Sequence, residues 1–123
     1  MENFDWVTAR ELCSAIKVFE QIKLEIKDDV DTRNKLITPK SAYIFRFLAN
    51  NDRYTVLKEG DRIYETVTFE LADQLIHAKD KNDKILLEAS LTLNDEGECR
   101  LKINDQEREL WQFRKMALER LFF

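Results

Sequence analysis

Apolar and polar residues recur with two different periods along this chain, and the points where the period changes divide it into elements. Near the start, Thr8 and Glu11 have the spacing of a capping box and Val7 and Leu12 that of a hydrophobic staple, so a helix is expected to begin at Thr8. Leu12, Ile16 and Phe19 continue at helical spacing. Then Ile22-Lys23-Leu24-Glu25-Ile26-Lys27 alternates strictly, which predicts a half-buried strand over residues 21–27, although a continued helix would also use Ile22 and Ile26. Residues 28–40, with clustered acids, Asn34 and Pro39, read as a polar connection.

Residues 42–48 are rich in strand formers and put Tyr43, Phe45 and Phe47 on one face; Asn50-Asn51-Asp52 supplies turn chemistry, and residues 53–57 return antiparallel. After the Gly60-Asp61 break, Tyr64, Val67, Leu71, Leu75 and Ala78 match one face of a helix over residues 62–79. The competing reading is a strand over residues 62–69, where Tyr64, Thr66 and Thr68 alternate with Ile63, Glu65 and Val67. The clearest element is a hairpin: Ile85, Leu87, Ala89, Leu91 and Leu93 share a face, Asn94 to Gly97 turns the chain, and Cys99, Leu101 and Ile103 return on the same face. Asp105 is placed to cap a last helix, with Leu110, Phe113, Ala117 and Leu121 on one stripe and Trp111, Leu118 and Phe122 on a second. The pattern predicts an α+β domain over residues 1–123, with an antiparallel sheet of about five strands and helices at the N-terminus, in the middle and at the C-terminus.

Composition narrows the class. The chain has 123 residues, 44% of them apolar and thirteen aromatic, enough to fill one core, and its formal charge of −4 comes from interspersed acids and bases. That balance disfavours nonspecific binding to nucleic acid and suits a basic protein partner. No apolar run reaches the length of a membrane helix, and the opening segment carries acids where a signal peptide carries bases, so no membrane association and a cytoplasmic location are expected. Cys13 and Cys99 lie far apart, without CxxC or Cys/His spacing, and read as two unpaired, buried thiols of a reducing compartment.

Candidate chemistry is sparse. His77 is the single histidine; the helical reading puts it on a polar side beside Asp73 and Gln74, a surface position rather than that of a general base. Asp28, Asp29 and Asp31, and likewise Glu59 and Asp61, lack the order of a calcium loop and read as solvated charge rather than a metal site. Gly60 and Gly97 are isolated, which excludes a glycine-rich phosphate loop. No catalytic set, cofactor or metal is implied. Phe69 and Ile76 fall on the helix face away from Tyr64, where they meet either the sheet or another protein.

Three segments carry a further signal: Ala89 to Ile103, with its Leu-Thr-Leu strand, acidic turn, glycine and returning strand; Glu107-Arg108 followed by Trp111, Phe113 and Arg114; and Tyr43 to Phe47 before Asn50-Asn51-Asp52-Arg53-Tyr54. Together they resemble the YezG-like family of bacterial immunity proteins. The resemblance implies an antitoxin-like protein that binds and blocks a toxin domain, commonly a nuclease. The leading expectation is therefore a non-enzymatic immunity or inhibitor protein with a cognate toxin as its protein partner. The alternatives are a structural or adaptor protein that forms homo-oligomers through its C-terminal helix, and a small hydrolase using His77. On the leading reading, Glu59, Asp61 and Asp73 steer a basic partner while Phe69 and Ile76 form the desolvated anchor.

Overall fold

Two helices precede the sheet in the computed structural model, which describes residues 3–38 and 40–123; the expectation for Pro39 lies outside the described residues. Helix α1 spans Trp6–Leu12 and α2 spans Ala15–Leu36. Asp5, not Thr8, caps α1: the Thr8 N–H donates to Asp5 Oδ1 at 3.1 Å. The chain leaves the helix at Cys13, and Ser14, in extended backbone, caps α2 by accepting from the Lys17 N–H at 3.3 Å. The strand expected over residues 21–27 and most of the connection expected over 28–40 are thereby corrected, since α2 covers the first and extends through the second as far as Leu36. Ala15, Val18, Phe19, Ile22, Ile26 and Val30 form one buried stripe at helical spacing. Leu24, which a strand would bury with Ile22 and Ile26, is left exposed.

The sheet is a meander of seven antiparallel strands in sequence order, rather than about five: β1 (Tyr43–Ala49), β2 (Arg53–Gly60), β3 (Tyr64–Ala72), β4 (Leu75–Lys79), β5 (Ile85–Leu93), β6 (Cys99–Ile103) and β7 (Gln106–Arg108). The helix expected over residues 62–79 is instead the β3–β4 hairpin, and the competing strand reading describes its first arm. Its two-residue turn, Asp73-Gln74, has positive φ at both positions, the geometry that fits the twist of the flanking strands. Asp-Gln is not the Asn-Gly or Asp-Gly pair that announces such a turn, so the helical spacing of Tyr64, Val67, Leu71 and Leu75 runs across it unmarked. A second turn of this kind, at Asn104-Asp105, adds β7, and the last helix, α3 (Leu110–Phe122), is capped from Glu109 and Gln112 rather than Asp105.

Helices α2 and α3 cover one face of the sheet. Under them Phe45, Tyr54, Val56, Val67, Phe69, Ile76, Ala78, Ala89, Leu101 and Ile103 meet Phe19, Ile22 and Ile26 of α2 and Phe113, Leu118 and Phe122 of α3. The Tyr54 hydroxyl donates to the Phe19 carbonyl at 2.9 Å, and burial pushes its pKa up, with the charge of Glu20 adding to the shift. Arg114 ties the helices together through Asp29 (2.7 Å) and Glu25 (3.0 Å), so one of the acids expected in a loop, Asp29, is a partner in a helix–helix contact, while Asp28 and Asp31 are exposed on α2. Asn34 of α2 closes part of the sheet edge. Its side-chain amide accepts from the Phe45 N–H at 3.0 Å and donates to the Phe45 carbonyl at 2.8 Å, as a neighbouring strand would.

Candidate functional site

The five residues expected to form a partner-binding face do not come together. Phe69 and Ile76 are fully buried under the helices, and Phe69 packs its ring against Tyr54 at 5.3 Å and Phe113 at 6.0 Å between centroids. The anchor role is therefore corrected: on paired strands Phe69 lies opposite Ala78 and Ile76 opposite Leu71, and all four side chains point into the core. Glu59 and Asp61 are exposed near the β2–β3 turn, where Glu59 pairs with Arg46 at 3.1 Å. Asp73 is exposed at the other end of β3, about 25 Å away at the usual rise per strand residue.

His77 lies on the open face of the sheet, in a row formed by cross-strand neighbours Arg53, Glu70, His77 and Glu88. Its Nε2 is 2.8 Å from Glu88 Oε2. Glu70 is shared between Arg53 (3.4 Å) and Lys79 (3.0 Å), and its hydrogen bond to Lys79 raises the lysine pKa. This face is mostly charged pairs and hydroxyls, including Thr55 and Thr68 at 2.9 Å. Among the described residues, no group of three or more His, Cys, Asp or Glu is placed to hold a metal ion, and no helix is long and apolar enough to cross a membrane.

The segment that stands out is at the N-terminal side. Helix α1 buries none of its residues, yet Phe4, Trp6, Val7, Leu12 and Ile16, on and beside it, are each between 58% and 64% exposed. Adjacent residues such as Trp6 and Val7 project roughly 100° apart around a helix, so α1 is apolar on more than one side. Helices of that kind are ordinarily buried.

Two contacts hold this segment to the β5–β6 hairpin. Cys13, at the end of α1, is joined to Cys99 at the start of β6 by a disulfide across a separation of 86 residues. The expected unpaired thiols are thereby corrected; no spacing rule links cysteines that only the folded chain brings together. The second contact is the Phe4 ring, which lies against Gly97 so closely that a β-carbon there would collide with it. Gly97 also has a positive φ, which suits glycine in the hairpin turn. The staple spacing of Val7 and Leu12 hides α1 as a surface in the sequence, because it implies that both side chains pack against the helix. The available signals were the early apolar pair Phe4 and Trp6 and the helix break at Cys13-Ser14.

An apolar opening of about 390 Å³ lies between α2 and α3 and is lined in part by Arg33, Leu36, Trp111, Leu118 and Phe122. Arg33 there donates to the Phe122 carbonyl at 2.9 Å and stacks between the Phe45 and Phe123 rings. Comparisons of the chain with known protein families, with characterised proteins and with solved structures find no match to any of them.

Proposed function

We propose that this chain is a non-enzymatic immunity protein that neutralises a toxin domain by protein–protein contact, with α1 as the element that inserts into the toxin. The observation that carries the reading is a helix apolar on several sides that buries nothing in its own fold. Exposed aromatic and aliphatic groups concentrated in one short element supply the desolvated anchor that a long-lived complex needs. The net charge of −4 favours approach to a basic partner such as a nuclease. The resemblance to YezG-like proteins includes the β5–β6 hairpin, the same hairpin that holds α1. The cytoplasm remains the proposed place of encounter, with one added condition: disulfides persist more readily in oxidising surroundings, so the redox state of Cys13 and Cys99 becomes part of the proposal.

The test is the double variant Trp6→Ala/Leu12→Ala, which changes two exposed side chains. Its thermal melt should match wild type, while its affinity for a basic toxin encoded beside it should fall by about 2 kcal/mol or more, roughly 30-fold. Equal affinity of the two oxidised proteins overturns the reading. A wild-type protein that binds no toxin but dimerises, and a variant that is monomeric, would establish the self-associating adaptor instead.

A further inference from the structure

We infer that the Cys13–Cys99 disulfide is a redox switch for the α1 surface: oxidised, it fixes α1 on the β5–β6 hairpin; reduced, it releases α1 and weakens partner binding. The inference rests on the reading of α1 as the interface. Cys13 occupies the joint between α1 and α2, and Ser14 and Cys13 are the two residues there outside both helices. Downstream of the joint, α2 is held independently, beginning with buried Ala15 and Val18. Upstream, α1 contributes nothing to the core, and with the disulfide broken its remaining ties are Phe4 on Gly97 and the exposed Glu11–Lys17 ion pair at 3.7 Å, which solvent screens. A helix of seven residues is well below the roughly 12–15 that an isolated helix needs to persist in water.

The two cysteines are unequally exposed. Cys13 is 1% exposed, whereas Cys99 is half-buried and lines an open groove of about 490 Å³ with Leu12, Leu110, Trp111, Arg100 and Arg114. Cys99 is therefore the half of the bridge that a dithiol reductant reaches. One reductant thiolate attacks Cys99 Sγ, forming a mixed disulfide and expelling the Cys13 thiolate, which takes up a proton. The second reductant thiolate attacks its own sulfur in the mixed disulfide, releasing Cys99 as the thiol and leaving the reductant as a disulfide. Two electrons and two protons pass from the dithiol to the cysteine pair. Cys13 lies outside the main buried cluster, so the sheet and its two covering helices keep their packing when the bridge opens.

The chain has two tryptophans, so Trp111→Phe leaves Trp6 as the sole reporter of α1. Its fluorescence anisotropy is measured in oxidised protein, after dithiothreitol, and in a Cys13→Ser/Cys99→Ser version, alongside thiol titration and circular dichroism. The oxidised form should titrate no free thiol. Reduction and the double substitution should both lower Trp6 anisotropy, while the sheet signal still melts in one cooperative transition above the assay temperature. Free thiols in air-oxidised protein, unchanged anisotropy, or loss of the sheet on reduction would each overturn the switch. Binding to the toxin should weaken at least tenfold in the reduced form. If anisotropy falls and affinity does not, the release of α1 stands and its role as the interface fails.

Discussion

Helices α1 and α3 lie near opposite ends of the chain and both carry tryptophan, leucine and other apolar side chains, yet α3 buries five residues and α1 none. The difference is spacing and length. In α3, Phe113, Ala117, Leu118, Leu121 and Phe122 recur so that they face the sheet together over about two and a half turns. In α1, Trp6, Val7 and Leu12 are spread around a much shorter helix, and no single docking orientation covers them. Apolar content alone therefore does not place a helix in a core. Helix α3 is held by packing and by Arg114; α1 is held by one disulfide, one ring against a glycine and one exposed ion pair, Glu11 with Lys17.

The largest effect should separate the two helices directly. Phe113→Ala removes a fully buried ring and should cost about 3–5 kcal/mol in a denaturant melt, whereas Trp6→Ala should stay within about 0.5 kcal/mol. Similar losses from both would mean that α1 is packed after all. Phe69→Ala belongs with Phe113 and should destabilise the free protein rather than speed dissociation from a partner. Next in size is Asn34→Ala, which leaves the Phe45 N–H and carbonyl without their side-chain partner; a loss of about 1–3 kcal/mol is expected, with greater tendency to associate through β1. Unchanged stability and solubility would show that water replaces the amide without penalty.

The smallest effect concerns acid. Hydrogen bonds from the Thr8 backbone N–H, and then from its hydroxyl, hold the Asp5 carboxyl below its usual pKa. A lowered folded-state pKa means the cap contributes fully above the ordinary aspartate value of about 4 and is lost as pH falls through the folded value. Protection of the Thr8 and Ala9 amides, as the exchange rate relative to the intrinsic rate at the same pH, should fall in that acid range, and Asp5→Asn should flatten the dependence. No pH dependence in wild type would show that this cap does not hold α1.

Elements with a single dominant pattern were legible from residue order alone. The β1–β2 and β5–β6 hairpins, the inward stripe of α3 and the mixed α+β class follow from alternation, turn residues and helical spacing, which are local properties. Where two periods overlapped, the environment decided. Residues 22–27 alternate like a strand, but six apolar residues from Ala15 to Val30 bury together only as a helix. Residues 64–78 match a helix, but β2 and β5 offer strand partners on both sides, and a turn of positive-φ Asp73 and Gln74 completes the hairpin. The candidate interface shows the same division. Sequence determined that Phe4, Trp6, Val7 and Leu12 are apolar; tertiary structure decided that no core covers them and that Phe69 and Ile76 are covered instead. It also brought Cys13 to Cys99 and Asn34 to the edge of β1, because contacts between distant residues depend on the packing of α2 against the sheet, which no local period encodes.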